Sequence, residues 1–201
     1  VTSTPSGSSG TISGKQSGKL IIISGPSGVG KGTLIRRVRR SGEFPLVMSV
    51  SATTRERRPT ERDGVDYRFM SREEFLARRE RGEFLESFEV YSGGALYGTL
   101  TEPVLRELES GNWVVLEIDV KGAEEVLKTF PDAVTIFIEP PEPPVLEKRL
   151  RHRKTESEES LGQRLRQAEA ELAKAKDYKY RIVNDRLEQA EADLTEVLRK
   201  S

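Results

Sequence analysis

The segment Gly25-Pro26-Ser27-Gly28-Val29-Gly30-Lys31 constrains this chain more than any other. It follows a short unbroken aliphatic run at residues 20–23, the pattern of a strand buried on both faces. Apolar residues recur at helical spacing immediately after it, over residues 34–40. Glycines let the backbone turn tightly enough to aim successive N–H groups at phosphate oxygens, and the helix that opens there adds the positive end of its dipole. Lys31 stands where it can reach the β and γ phosphates of a nucleotide. The alternative, a glycine-rich turn with no ligand, fits poorly with a position between a buried strand and a helix. The strict form of the pattern places Ser or Thr directly after the lysine, whereas here Gly32 stands there and Thr33 follows. A hydroxyl for magnesium in that place is therefore missing.

Residues 113–118, 134–138 and 181–183 repeat the character of the first aliphatic run. Helical spacing appears at 102–108, 123–128, 160–176 and 186–199. Strand and helix in alternation imply an α/β fold, a parallel sheet with helices on both faces. Residues 44–101 break the rhythm with short strand-like pieces, a turn at Arg62-Asp63-Gly64 and one helix near 71–81, as an inserted lobe would. Residues 149–159 interrupt it again with charge and few core residues. Four prolines, at 140, 141, 143 and 144, mark the exit from the 134–138 strand, with helix resuming near Pro144.

Composition excludes whole classes. The 33 Lys plus Arg balance 33 Asp plus Glu, so a generic polyanion binder is not expected, and no nucleic-acid partner is predicted. With no Cys there is no disulfide framework, thiol nucleophile or thiolate metal site, and the lone His152 makes no His-rich one. No apolar run approaches the ~18 residues of a membrane span. Residues 1–18 read as a flexible leader: the first 19 positions hold 13 Ser, Gly or Thr and no apolar h-region of a secretory signal. These features predict a cytoplasmic protein and leave its oligomeric state open.

Gly30-Lys31-Gly32-Thr33 looks like the loop of adenylate kinases, so nucleotide binding does not require the missing hydroxyl. Together with Ser49-Val50-Ser51-Ala52-Thr53-Thr54-Arg55, Gly64-Val65-Asp66-Tyr67 and Tyr97-Gly98-Thr99, it makes the chain resemble guanylate kinases from about residue 19 to 199. The resemblance implies a three-layer P-loop kinase core (19–43, 102–148 and 167–201), an inserted GMP-binding lobe (44–101) and a small lid (149–166). It also implies transfer of the γ-phosphoryl group of ATP to GMP, with Mg²⁺.

By the same resemblance, Gly25, Pro26, Ser27, Gly28, Val29, Gly30, Lys31, Gly32 and Thr33 hold ATP, and Asn184 and Asp185 form the turn that meets adenine. Capping the last helix explains Asn184 and Asp185 equally well. Ser51, Arg55, Arg58, Tyr67, Glu86, Tyr97 and Thr99 surround GMP. Arginine forks suit a phosphate dianion, and an ionised Glu86 can accept both N–H donors on one edge of guanine. Residue by residue the alternatives are mundane: Arg55 and Arg58 share their segment with Glu56, Arg57, Glu61 and Arg62, so a solvated charged face is possible, and an isolated Glu is usually exposed. Glu117 and Asp119 are placed at the junction of GMP and the transferring phosphate, with Asp119 near the metal through water. Asp119 could instead cap the helix that follows. Lys31, Arg58, and the lid arginines Arg153 and Arg164 would stabilise transition-state charge. Ser92-Gly93-Gly94-Ala95 makes one loop two residues longer than the family pattern. A non-catalytic module of the same fold, using the lobe as an anion pocket, and a kinase for another acceptor are the competing readings. Retention of Lys31 and both lid arginines disfavours the first, and Glu86 with Ser51 and Thr99 disfavours the second.

Overall fold

Strand β1 (Lys19–Ser24) is the aliphatic run that leads into the glycine loop, and in this computed structural model it lies at the centre of a sheet. Residues 18–90, 94–151 and 158–201 are described. β1 pairs in parallel with β7 (Trp113–Glu117) on one side and β8 (Val134–Glu139) on the other. β9 (Tyr180–Val183) extends the sheet beyond β8, also in parallel. Because side chains alternate along a strand, the run serves two cores at once. Ile21 and Ile23 pack with Leu34, Ile35 and Val38 of α1 (Lys31–Ser41) and Ala190, Leu194 and Leu198 of α7 (Leu187–Arg199). Leu20 and Ile22 pack with Val104 of α3 (Thr101–Glu109) and Ala123 and Val126 of α4 (Val120–Thr129). Ile21 and Ile22 are both fully buried, each contributing about 1.5–3 kcal/mol of apolar burial. The expected α/β core with helices on both faces is what the chain forms.

The lobe boundary differs from the expectation. β2 (Leu46–Met48), inside the 44–101 stretch, pairs in parallel with β7 and completes the five-stranded order β2-β7-β1-β8-β9. Phe44, just before it, stacks on Trp113 at 5.3 Å between centroids. Three half-buried residues carry too short a pattern for periodicity to detect, so this edge strand is invisible in the sequence.

Beyond it the chain builds a second, four-stranded sheet from β3 (Ala52–Thr53), β4 (Arg68–Phe69), β5 (Phe84–Val90) and β6 (Ala95–Leu100), in the order β4-β3-β6-β5. Helix α2 (Arg72–Glu80), capped by the Ser71 hydroxyl accepting from the Glu74 amide, drops Phe75 into a small core with Ala52, Leu96 and Leu100. Gly98 is dictated by contact: a Cβ there would lie 2.7 Å from the Glu86 carbonyl oxygen and 2.8 Å from the Phe84 ring. Leu85 of β5 joins the core beneath α3 and α4, which docks this sheet on the first.

The region expected to be a lid contains α5 (Pro143–Arg151) and α6 (Glu158–Ala173). Leu146, Leu150, Leu161 and Ala168 sink into the same cluster as α1, so both helices are anchored to the core. The helix expected over 160–176 ends at Ala173, and the chain tightens into a 3-10 turn at Ala175–Asp177. The leader, most of the long loop before Ala95, and the lid residues around Arg153 lie outside the described residues. Among the described residues no helix is long and apolar enough to cross a membrane.

Candidate active site

The loop after β1 folds as its glycines require. Gly25, Gly28 and Gly30 sit at φ 141°, 83° and 103°, a region that L side chains rarely enter. A Cβ on Gly25 would lie 2.2 Å from the Ile138 carbonyl oxygen, so β8 leaves no room for one. Gly30 caps α1 with no side-chain hydrogen bond, and no acid stands in the first turn. The positive end of that helix, with its amides, is thus kept for an anion. Lys31 folds back over the loop, its Nζ donating to the carbonyl oxygens of Gly25 at 2.6 Å and Pro26 at 3.2 Å. Thr33 faces solvent, its hydroxyl accepting from Arg36.

Two residues from distant segments brace this loop from behind. Asn184, only 6% exposed, donates from Nδ2 to the Val29 carbonyl at 2.8 Å, and a Cβ on Gly30 would collide with that amide at 2.5 Å. Its side chain does not cap α7, whose cap is Arg186 with no side-chain bond, and Asp185 is exposed. Arg149, grouped by sequence with the lid arginines, donates to the carbonyls of Val29 and Asn184 instead. Arg164 of α6 is brought to the loop, donating to the Ser27 hydroxyl. Arg153 lies outside the described residues.

In the lobe, β-sheet register brings together residues expected around GMP. Glu86 on β5 pairs with Thr99 on β6, which puts the Thr99 hydroxyl 2.6 Å from Glu86 Oε1, donating to it. Glu86 is 4% exposed, and its Oε2 is buried with no hydrogen-bond partner. Burial pushes its carboxyl up to about 7, against the Thr99 bond, and the Asp119 charge adds to the rise. Thr53 and Thr54 have structural work: their hydroxyls accept from the amides of Arg55 and Leu96. Ser51 is half-buried, with its carbonyl accepting from Arg68 N–H. The turn at Gly64 is tied by Asp66, which accepts from the Arg62 amide, and it delivers Tyr67 to within 6.0 Å of Tyr97, edge to face. Arg55 lies over the Tyr67 ring at 5.5 Å and donates from Nε to the Tyr97 hydroxyl. The Arg58 side chain is exposed nearby.

Between loop and lobe lies the first turn of α4. Asp119 caps it, Oδ1 accepting from the Gly122 amide at 2.8 Å, so the capping reading of Asp119 is realised. A Cβ on Gly122 would meet Glu86 Oε2 at 3.3 Å and Asp119 Oδ1 at 3.4 Å, so the two carboxylates flank one small residue. Glu117, exposed at the end of β7, holds its Oε2 3.2 Å from where a Gly32 Cβ would be. An acid thus faces the place where the strict loop pattern would carry its hydroxyl.

Sequence reasoning gave Asn184 a different task and passed over Glu171 and Glu61. Asn184 was expected at a base or a cap, and its bracing of Val29 could not be read without the β9 register. Glu171 of α6 is half-buried and accepts from Gln167: burial raises its carboxyl, the Gln167 bond and the Lys31 charge oppose that rise, and the Asp119 charge adds to it. Glu61 grips Arg55 through Arg55 Nη2, at 2.8 and 3.1 Å, and only its location in a crowded charged segment hinted at this.

A guanylate kinase family model matches residues 17–201. The chain is 47% identical over 182 residues to a guanylate kinase of Rhodopirellula baltica, covering 90% of this chain and 87% of that protein. It is 49% identical over 175 residues to one of Thermosynechococcus vestitus, covering 87% and 90%. A solved guanylate kinase from Anaplasma phagocytophilum superposes with a TM-score of 0.73 at 31% identity, over 92% of this chain and 86% of that one.

Proposed function

The chain belongs to the guanylate kinase family and is an ATP:GMP phosphotransferase, and from that premise we propose which residues do the work. The observation that carries the assignment is Glu86: a buried carboxylate with one oxygen satisfied by Thr99 and the other orphaned. Guanine offers two adjacent N–H donors, N1–H and the 2-amino group, to such an acceptor. Adenine offers no donor at N1 and would leave the carboxylate unpaired, which is the arrangement that gives strong discrimination. Ser51 and Thr99 line the base. Arg55, Arg58, Tyr67 and Tyr97 receive the phosphate of GMP. The loop from Gly25 to Lys31, with Gly32, Thr33 and the α1 amides, receives the phosphates of ATP, while Asn184 and Arg149 keep its back rigid.

The reaction is an in-line displacement. An oxygen of the GMP phosphate forms a bond to the γ phosphorus as the bond to the β–γ bridging oxygen breaks, and ADP leaves. Little covalent chemistry falls to the protein, so alignment and positive charge supply most of the rate. Lys31 and Arg164 stand at the donor side and Arg58 at the acceptor side; Arg153, assigned to this set by family resemblance, lies outside the described residues.

The donor set also fits Mg²⁺. Among the described residues no cluster of three or more His, Asp or Glu forms a cage, and an ion held largely by ATP phosphates and water needs none. Glu117, facing Gly32, and the second oxygen of Asp119 are the groups that would hold its waters. Bound there, the ion would neutralise charge on the phosphates.

A coupled assay of the full chain with ATP and GMP, dGMP, AMP or UMP as acceptor tests the reading. GMP and dGMP should turn over, and AMP should fall below them by at least about a hundredfold in kcat/KM. Equal rates with AMP would remove Glu86 from the recognition of the base.

A further inference from the structure

The arginine cradle is held together by an acid to which the proposed reaction assigns no part, Glu61. Glu61 meets three arginines of its own loop. Its carboxylate accepts from Arg55 Nη2 at 2.8 and 3.1 Å and from the Arg58 amide at 2.9 Å. Its amide donates to the Arg58 carbonyl at 3.0 Å, and its own carbonyl accepts from Arg57 Nη1 at 2.8 Å. The ion pair is sheltered, with side-chain exposures of 22% for Arg55 and 15% for Glu61. The Glu61 carboxylate strengthens the hold of the Arg55 guanidinium on its proton through this bond, and Arg55 holds the Glu61 carboxyl below the usual carboxylate range.

This geometry fixes more than one bond. Arg55 has five N–H donors. Nε is directed to Tyr97, Nη1 to the Glu56 carbonyl, and Nη2 to Glu61. Among the described residues Nη1 has that one acceptor, so one of its two hydrogens remains for a ligand. The Tyr97 hydroxyl accepts from Arg55, which leaves its own hydrogen to donate elsewhere. Meanwhile the carboxylate clamp on the Arg58 amide closes the loop, setting where the Arg58 side chain departs.

We propose that Glu61 is a positioning residue for the acceptor phosphate: it pre-organises Arg55 and Arg58 as a single receptor before GMP arrives. A long arginine left to search its rotamers pays entropy when it binds, and a fixed one does not. This inference rests on the assignment of Arg55, Arg58, Tyr67 and Tyr97 to the GMP phosphate. The reverse possibility is that the Glu61 carboxylate fills the phosphate's place and must be displaced. It predicts the opposite sign in the same experiment.

The experiment compares Glu61→Gln and Glu61→Asp with the unaltered full chain, measuring KM for GMP, KM for ATP, kcat, and inhibition by guanosine, which lacks the phosphate. Glu61→Gln should raise KM for GMP by about ten- to thirtyfold with KM for ATP and the guanosine inhibition constant unchanged. Glu61→Asp keeps the charge on a shorter stem and should recover part of the loss. Thermal unfolding of each variant guards against loss of the fold, which would move ATP and guanosine as well. A lower or unchanged KM for GMP in Glu61→Gln, or an equal rise for guanosine and ATP, overturns the proposal. Failure of the unaltered chain to bind GMP while binding guanosine normally would instead refute the phosphate cradle itself.

Discussion

The loop at residues 25–31 and the cradle at residues 55–61 are the two phosphate receptors we propose, and they are built from different materials. The loop uses main chain: three glycines at positive φ, an uncapped helix start, and a lysine folded onto the carbonyls of its own turn. Its shape is set by what cannot fit, such as a Cβ against Ile138 or Asn184. The cradle uses side chains, and its central pair is engaged before any ligand binds: Arg55 with Glu61 and Tyr97, Glu61 with the Arg58 amide. A main-chain receptor has little side-chain entropy to lose on binding, whereas a side-chain receptor must be ordered by its neighbours. Substitutions should therefore act through charge or sterics in the loop and through alignment in the cradle.

The largest effect should come from Lys31→Met, which removes the one side-chain charge in the loop. kcat is expected to fall by about a thousandfold, because a donor aimed at developing phosphoryl charge is lost. The fold should survive, since each bond from Nζ to the loop carbonyls is worth only about 1 kcal/mol. Rate measurement beside thermal unfolding separates the two. Activity within a few fold of the unaltered chain would take the loop out of the mechanism and end the comparison.

Next in size is Glu86→Gln, in the lobe's buried pocket. An amide can present one acceptor to guanine but adds a donor beside it, so kcat/KM for GMP should fall by about a hundredfold. Acidity gives a second handle. Glu86 is pushed up to about 7 in the folded protein, mainly by burial, against 4.5 when unperturbed. Guanine binds the ionised form, so affinity for GMP should weaken as pH falls below about 7, by about tenfold per unit. Stability moves the other way. A raised acid stabilises the fold fully below its unfolded value, and that contribution is lost as pH rises from about 4.5 through 7, by roughly 3 kcal/mol. Glu86→Gln should abolish this loss and keep only the titration of the GMP phosphate itself in the binding profile. A binding profile unchanged by the substitution would place guanine elsewhere.

The difference between the two regions also explains what could be read in advance. Loop, β1 and α1 are contiguous in sequence, so their physics is local: an aliphatic run, glycines at fixed spacing, a helical period. The alternating core followed from the same kind of signal. Glu86 and Thr99 are thirteen positions apart and meet only through the β5–β6 register, and the sequence pointed to them by resemblance, with no local pattern to support it. Asn184 reaches Val29 across 155 positions, and nothing near either residue announces that bond. β2 was lost in the lobe because three half-buried residues have no period. Glu61 looked like one more solvated charge, and the side-chain pairing that distinguishes it exists only once the Arg55 loop has closed.

The smallest effect tests whether the main-chain receptor can accept a side chain at all. Gly32 is the one loop-adjacent glycine without a positive φ, and a Cβ there would stand 3.2 Å from Glu117 Oε2, the end of an exposed and flexible side chain. Gly32→Ser should therefore be tolerated: Glu117 yields by a few tenths of an ångström, and the gain in helix propensity, about 0.5 kcal/mol, offsets the crowding. With saturating magnesium, kcat should stay within about twofold of the unaltered chain, since the residues that align the phosphates are untouched. The hydroxyl would add an oxygen beside Glu117, so the magnesium concentration for half-maximal rate should drop severalfold, by about three- to tenfold. A magnesium titration at fixed ATP and GMP reads this directly. An unchanged midpoint would mean that Glu117 acts on the loop from a distance through water alone, and that Gly32 keeps the space for that water.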